Sequence, residues 1–358
     1  MNTRPIIALL LYLTVLHGVS SAADPQATLA LVHRVADWQL ANPAKYQPTN
    51  WTQAVGYVGF MAAAGLPDGG KYEEAMAAVG TKTGWTLGRN CRFHADDQAI
   101  AQMYLALHAK RKQPEMIAET CQVMDEFCAR PNALGDMALK WGHQRWTWCD
   151  ALFMAPPILA RLYASTGEKR YLDALMRDFK QTHEFLYDTE EHLYFRDASY
   201  LKKREANGQK VFWGRGNGWV LAGLANTLDA LPKDAAERAY FAGIFKDMAV
   251  RIISLQQADG LWRASLLDPA SYPLKETSGS ALYCFALAWG INHGLLDRAT
   301  TLPAVEKAWT ALTDCVTPAG RLTHVQPIGK DPRSFKDDAT EVYGVGAFLM
   351  AGAEIYRL

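Results

Sequence analysis

The chain has 358 residues, 49% of them hydrophobic and 21% charged, which supplies ample material for a buried core in one large domain or two medium ones. Its 37 basic and 37 acidic side chains cancel, removing the electrostatic case for a nucleic-acid partner or an anionic membrane surface.

Residues 1–23 read as a secretory signal. Arg4 supplies a positive start, IIALLLYLTVL (6–16) an apolar stretch, and VSSAAD (19–24) small residues for cleavage near Ala22 or Ala23. The stretch is shorter than the roughly 20 residues that span a bilayer, and no other segment is apolar over such a length. The expected mature chain is therefore residues 24–358, a single domain exported to the periplasm or beyond the cell.

From there on, apolar residues return at three- and four-residue spacing. The pattern predicts helices over 25–41, 52–64, 94–111, 114–129, 149–165, 168–187, 216–230, 234–257, 278–293, 303–316 and 340–356. Gly65, Gly167 and Pro232 stand where turns are expected. Alternating strand patterns are scarce, so the fold class is all-α. Short loops carry a turn residue followed by an apolar or aromatic pair: TGWTLGR (83–89), EEHLYFRD (190–197), ADGLWRA (258–264) and AGRLTHV (319–325). The last three recur at the length of a helical hairpin plus its loop, the mark of stacked helix pairs. Long Trp-rich loops favour a closed α/α ring over an open array.

The six cysteines do not form a disulfide framework. Cys121 and Cys128 lie two turns apart on one predicted helix, roughly 10 Å at 1.5 Å per residue, too far to bridge. Cys149, Cys284 and Cys315 sit in apolar helical contexts, where cysteine acts as a small hydrophobe. No Cys/His spacing suggests zinc.

In a closed helical ring, function belongs at the loop–helix junctions, where side chains converge on a common mouth. RWTWCDALFMAPPILARL (145–162) places Asp150 as a lone acid beside Trp146, Trp148, Phe153 and Met154. A helix cap is one reading; a carboxyl held protonated by apolar surroundings, and so a general acid, is the other. FHADDQAIAQMYLAL (93–107) offers Asp96 and Asp97, either of which caps a helix or partners Asp150 as a second carboxyl. VFWGRGNGWVLAGL (211–224) interleaves Trp213, Arg215 and Trp219 with glycines before an apolar helix. That arrangement lets backbone approach a ligand and offers a planar fork to a carboxylate. It lacks the spacing and the preceding strand of a dinucleotide loop. KWGHQRW (140–146) adds Lys140 and His143; Glu276 with Thr277 and Glu341 with Tyr343 precede two later helices. No GxSxG elbow is present for Ser/His/Asp catalysis.

Taken together, WCDALFMAPPILARLY, VFWGRGNGWVLAGL, ETSGSALYCFALAWGI and ATEVYGVGAFLMAGAEI resemble glycoside hydrolase family 105, the unsaturated rhamnogalacturonyl hydrolases, in order from about residue 30 to the C-terminus. The resemblance implies an (α/α)6 barrel of six helical hairpins. It implies an enzyme, without metal or organic cofactor, that removes the unsaturated uronic acid left by polysaccharide lyases on an oligosaccharide. The acid matching Asp150 would protonate C4 of the double bond and assist water at C5, and the hemiketal so formed would collapse to release the sugar. By the same match Asp97 or Asp96 is the second acid, with Asp97 taken as catalytic and Asp96 as substrate-binding. Trp148, Met154, Trp213, Arg215 and Trp219 are expected to form the walls and carboxylate clamp, with Lys140 and His143 assisting. The resemblance departs at YFRDASYLKKREANGQK (194–210), where Arg196 and Asp197 stand in place of a family histidine. That admits a leaving-side sugar other than the rhamnose of unsaturated galacturonyl-rhamnose, including a sulfated rhamnose or a disaccharide built on glucuronate. Two other readings compete: an inverting glycosidase acting on saturated sugars with two carboxyls about 6.5–9.5 Å apart, and a sugar-binding protein without turnover.

Overall fold

A computed structural model describes residues 24–130, 136–138 and 146–358. In chain order the helices are α1 (Pro25–Ala41), α2 (Trp51–Ala64), α3 (Gly70–Thr83), α4 (Ala95–Gln98), α5 (Ala101–Arg111), α6 (Ala118–Cys128) and α7 (Ala151–Met154). There follow α8 (Pro156–Thr166), α9 (Lys169–Leu186), α10 (Gly214–Ala230), α11 (Arg238–Ser254), α12 (Thr277–Asn292), α13 (Arg298–Thr313) and α14 (Val342–Tyr356). One two-residue hairpin, β1 (Tyr187–Asp188) with β2 (Leu193–Tyr194), is antiparallel. The expected signal at 1–23, and Lys140 and His143, lie outside the described residues.

The helices sort by burial into two shells. In α12 every residue from Thr277 to Ile291 is buried, and in α14 every residue from Val342 to Ile355. Helices apolar all round belong inside. In α9, by contrast, buried Leu172, Leu175, Phe179, Thr182 and Leu186 form one stripe. The inner elements touch in a closed cycle: α2 on α5, α5 on α8, α8 on α10, α10 on α12, α12 on α14, and α14 back on α2. Counting α4–α5 and α7–α8 each as one broken helix, this is a six-membered inner ring, jacketed by α1, α3, α6, α9, α11 and α13. The chain is an (α/α)6 barrel, as the repeats and the resemblance implied.

Glycine closes the ring. A Cβ on Gly59 of α2 would lie 2.5 Å from Gly346 Cα of α14, and one on Gly346 would lie 2.8 Å from the Val55 carbonyl carbon. First and last inner helices meet backbone to backbone, an approach that no larger residue permits.

Three departures from the sequence reading have local causes. Helix α3 was not predicted because its buried face is only Tyr72, Met76, Ala77 and Gly80, too small a stripe to stand out. Helix α13 begins at Arg298, ahead of Pro303, because Asp297 caps it through the Thr300 N–H at 2.9 Å. The helix predicted over 149–165 is broken at Ala155, since Pro156 and Pro157 carry no N–H. Gln102 of α5 compensates, its amide donating to the Phe153 and Met154 carbonyls at 2.9 and 3.1 Å. The repeated loops share one turn, with His192, Gly260 and Gly320 all at positive φ (53°, 91° and 97°). Cys121, Cys128, Cys149, Cys284 and Cys315 are free thiols.

Candidate functional site

The amino ends of the inner helices gather at one mouth: Trp51 starts α2, Asp96 lies in α4, Asp150 precedes α7, Gly214 opens α10, and Glu276 and Glu341 precede α12 and α14. The acids at these ends do different things. Glu276 is an ordinary cap, accepting from the N–H groups of Ser278 and Gly279 at 2.9 and 2.7 Å. Asp150 holds the cap position of α7 but makes no side-chain capping bond. Its carboxyl is left for other work.

What surrounds Asp150 comes from the loop that departs from the family pattern. Asn217 of α10 grips Tyr194, accepting from its N–H at 2.7 Å and donating to its carbonyl at 3.0 Å. Two residues on, the Arg196 carbonyl accepts from the Cys149 N–H at 2.9 Å. This backbone stitching sets the Arg196 Nε 3.8 Å from Asp150 Oδ2. Nη1 of the same guanidinium donates to Asp197 at 2.6 Å, so the cation is shared between two carboxylates.

Asp96 and Asp97 separate cleanly. Asp97 is buried; its Oδ1 accepts from Asn90 Nδ2 at 2.9 Å and its Oδ2 from the Cys91 N–H at 2.7 Å. Its own carbonyl accepts from the Gly88 N–H at 2.8 Å. Both its oxygens serve the 88–97 loop. Asp96 is the acid in electrostatic contact with Asp150: burial first, and then the Asp150 charge, push its carboxyl up to about 7. Burial also raises Asp150, against the opposing pull of Arg196, the Cys149 thiol and Arg215. Two like carboxyls in one low-dielectric site cannot both ionise freely, and their titration belongs to the pair. Their side chains keep 24% and 12% exposure, beside 16% for His94 and 25% for Arg196, so these four groups offer the accessible polar surface. Of the two neighbours, Asp96 feels the charge of Asp150, and Asp97 supports the loop.

Aromatic rings line this cluster. Trp148 packs on His94 at a tilt of 31° with centroids 4.9 Å apart, while Trp219 packs on Phe153 at 5.0 Å and on Trp51 at 6.3 Å. Trp51 stacks in turn on Tyr343 at 5.1 Å. Trp51 and His94 were missed by sequence reasoning, although an aromatic residue at the start of an inner helix was the available signal. Met154 and Trp219, both expected in a wall, are each 1% exposed and belong to the core beneath the cluster.

Arg215 departs from the expected carboxylate clamp. It is 1% exposed and sandwiched between Trp213 and Tyr343, 4.6 and 5.0 Å from their centroids. Its terminal nitrogens donate to the carbonyls of Gln326 and Pro327 at 2.5 and 3.0 Å. Trp213 Nε1 donates to Gln326 Oε1 at 2.8 Å, so the motif anchors the 326–327 loop. Its charge still reaches the site, opposing the upward shift of both Asp150 and Glu341. Glu341 itself accepts from the Tyr46 hydroxyl at 3.1 and 3.0 Å. Among the described residues no group of three or more His, Cys, Asp or Glu could hold a metal ion.

Such an arrangement can hold a proton near neutral pH among packed aromatic rings, with the Arg196 and Arg215 cations acting on it. Comparison with known proteins agrees in kind. The family model described as Glycosyl Hydrolase Family 88 matches residues 27–358. An unsaturated 3S-rhamnoglycuronyl hydrolase of Formosa agariphila is 42% identical over 340 residues, covering 91% of this chain and 89% of that one. A protein of the same name from Alteromonas sp. (strain LOR) is 34% identical, covering 89% and 83%. A solved structure described as a polysaccharide lyase superposes with a TM-score of 0.85 at 31% identity, covering 93% of this chain and 97% of that one. The family 105 resemblance holds at the level of fold: a family 105 glycoside hydrolase of C. acetobutylicum superposes with a TM-score of 0.73 at 21% identity, covering 91% and 99%. The family model matched is that of family 88.

Proposed function

Since the chain belongs to glycosyl hydrolase family 88, we propose that this glycoside hydrolase removes a terminal unsaturated uronic acid from lyase-generated oligosaccharides, and that the sugar it leaves behind is a sulfated rhamnose. The observation that carries the reading is the pair of carboxyls Asp96 and Asp150, half-buried and buried at adjoining inner-helix ends, with Arg196 beside Asp150.

In this reading the pair retains one proton into the neutral range and Asp150 delivers it to C4 of the double bond. The electron pair of the double bond forms the new C4–H bond, and positive charge develops at C5 and the ring oxygen. Asp150, now a carboxylate steadied by Arg196, takes a proton from the water that adds to C5. The hemiketal then opens and the leaving sugar departs with its hydroxyl restored. While the pair keeps that one proton, below about pH 7, the site carries one carboxylate rather than two and tolerates the substrate carboxylate where a second anion would repel it. Arg215 supplies positive potential from beneath.

The sulfated leaving sugar is supported by the names of the two relatives and by a cavity of about 450 Å³ edged by Arg321, Arg333 and Lys336. Pro327, on its wall, is the residue whose carbonyl Arg215 holds. Export remains part of the proposal, resting on the leader pattern of residues 1–23; N-terminal sequencing of the cell-free protein tests it.

The deciding experiment follows the ultraviolet absorbance of the conjugated uronate in lyase digests of sulfated and unsulfated rhamnose-containing polysaccharides. The proposal expects absorbance to fall with the unaltered enzyme, faster on the sulfated digest, and to persist with Asp150→Asn. A rise of absorbance on undigested polysaccharide would replace it with the lyase reading that one structural relative suggests.

A further inference from the structure

The end of the barrel away from Asp150 holds a second feature. There the carboxyl ends of the inner helices surround a cavity of about 480 Å³. Val58 and Met61 of α2, Phe285 and Trp289 of α12, and Met350 of α14 give it apolar walls. That volume and lining lie within the range of small-molecule sites.

The polar groups on its wall are unevenly matched. Lys110 is paired with Glu73 at 2.8 Å, and Arg357 with Glu354 at 2.5 Å. Glu354 also accepts from Asn292 Nδ2 at 2.8 Å, and His293 lies 3.7 Å from Asp229. Arg161 of α8 differs. It makes no hydrogen bond or ion pair with any described residue, and its Nε is fully buried. Two further buried donors on the same wall, Asn226 Nδ2 and Trp289 Nε1, also lack partners. No buried side-chain acceptor on this wall is unpartnered. Arg161 as a whole is half-buried, but a buried donor without an acceptor is costly, and burial lowers the group's pKa, with only the Asp229 charge opposing.

Three donors without acceptors, one of them cationic, call for an anion bearing several oxygens. A bare inorganic ion would leave most of the cavity and its two aromatic rings without contact. We propose that this cavity binds a small organic carboxylate of about monosaccharide size, its carboxylate on Arg161 and its body against Phe285 and Trp289. The simpler alternative is that Arg161 only offsets the negative carboxyl ends of the helices, although it donates to none of their carbonyls.

The test uses D-glucuronate as probe, glucose as its uncharged twin, and the indole N–H resonance of Trp289, assigned by Trp289→Phe, as a local readout that binding at the Asp150 mouth does not move. Glucuronate is expected to shift that resonance saturably in the unaltered protein and in Asp150→Asn, and glucose to leave it in place. Arg161→Gln should weaken the effect about tenfold or more, as expected for loss of a charged hydrogen bond. Asp229→Asn, which removes the opposing acid and leaves Arg161 intact, should strengthen it. An unmoved Trp289 resonance, an equal response to glucose, or unchanged glucuronate affinity in Asp229→Asn would each overturn the proposal. So would Arg161→Gln protein that folds, melts lower and still binds as the parent does.

Discussion

Asp96 and Asp97 are adjacent in sequence, and the isosteric changes Asp96→Asn and Asp97→Asn should fail in opposite ways. Asp97 accepts one donor on each oxygen, from Asn90 and from Cys91. An asparagine satisfies one and turns its own amide N–H toward the other. The loss of one charge-assisted bond, with a buried donor left facing a donor, costs about 3 kcal/mol. A folded body of about 330 residues unfolds with an entropy near 0.7 kcal/mol/K, so Asp97→Asn should lower Tm by about 4 °C. Its kcat should fall only as far as the 88–97 loop loosens. Asp96→Asn removes no such bond. The carboxyl of Asp96 is held at about 7 by burial and by Asp150, so its ionisation costs folded stability. That cost is absent below the ordinary carboxylate range, grows as pH rises toward 7, and is constant above it. Asp96→Asn should therefore leave Tm unchanged near pH 4 and raise it at pH 8, while kcat/KM falls about 10²–10⁴-fold. Differential scanning calorimetry at the two pH values and initial rates of ultraviolet loss measure both quantities. An Asp97→Asn protein with parental Tm and no activity, beside an active Asp96→Asn protein, would refute the assignment.

The proton held by the pair gives log kcat/KM a descending limb as pH rises through about 7, with unit slope, and a pH–rate profile should show it vanish in Asp96→Asn. Arg196→Gln withdraws the cation beside Asp150; the carboxyl should then titrate higher, the descending limb should move to higher pH, and rates at neutral pH should survive better than rates at acidic pH. Arg215→Gln should raise KM at least tenfold and also lower Tm, since the guanidinium both biases the site and holds the Gln326 and Pro327 carbonyls; steady-state kinetics and calorimetry on one preparation separate the two effects. Gly59→Ala would drive a methyl into the α14 backbone, and urea unfolding should show a loss of about 3 kcal/mol or more.

The sequence alone carried the barrel and the neighbourhood of its mouth. Hydrophobic periodicity is a local property, so nearly every helix could be read from it, and α3 escaped because its buried stripe is only Tyr72, Met76, Ala77 and Gly80. The lone acid among tryptophans at Asp150 was legible because burying a charge is expensive wherever it occurs. Direction was not legible. Adjacent residues such as Asp96 and Asp97 differ only in where their side chains point, and that is decided by a loop folded back through Asn90 and Cys91. Arg215 read as a clamp until α10, Tyr343 and the 326–327 loop enclosed it. Arg196 came to Asp150 only because Asn217 and Cys149 hold the 194–196 segment in place. Each of these contacts joins residues that are not neighbours along a helix, and helical periodicity records only which face of a helix is buried. Which acid meets which cation is settled when the six inner helices close on one another.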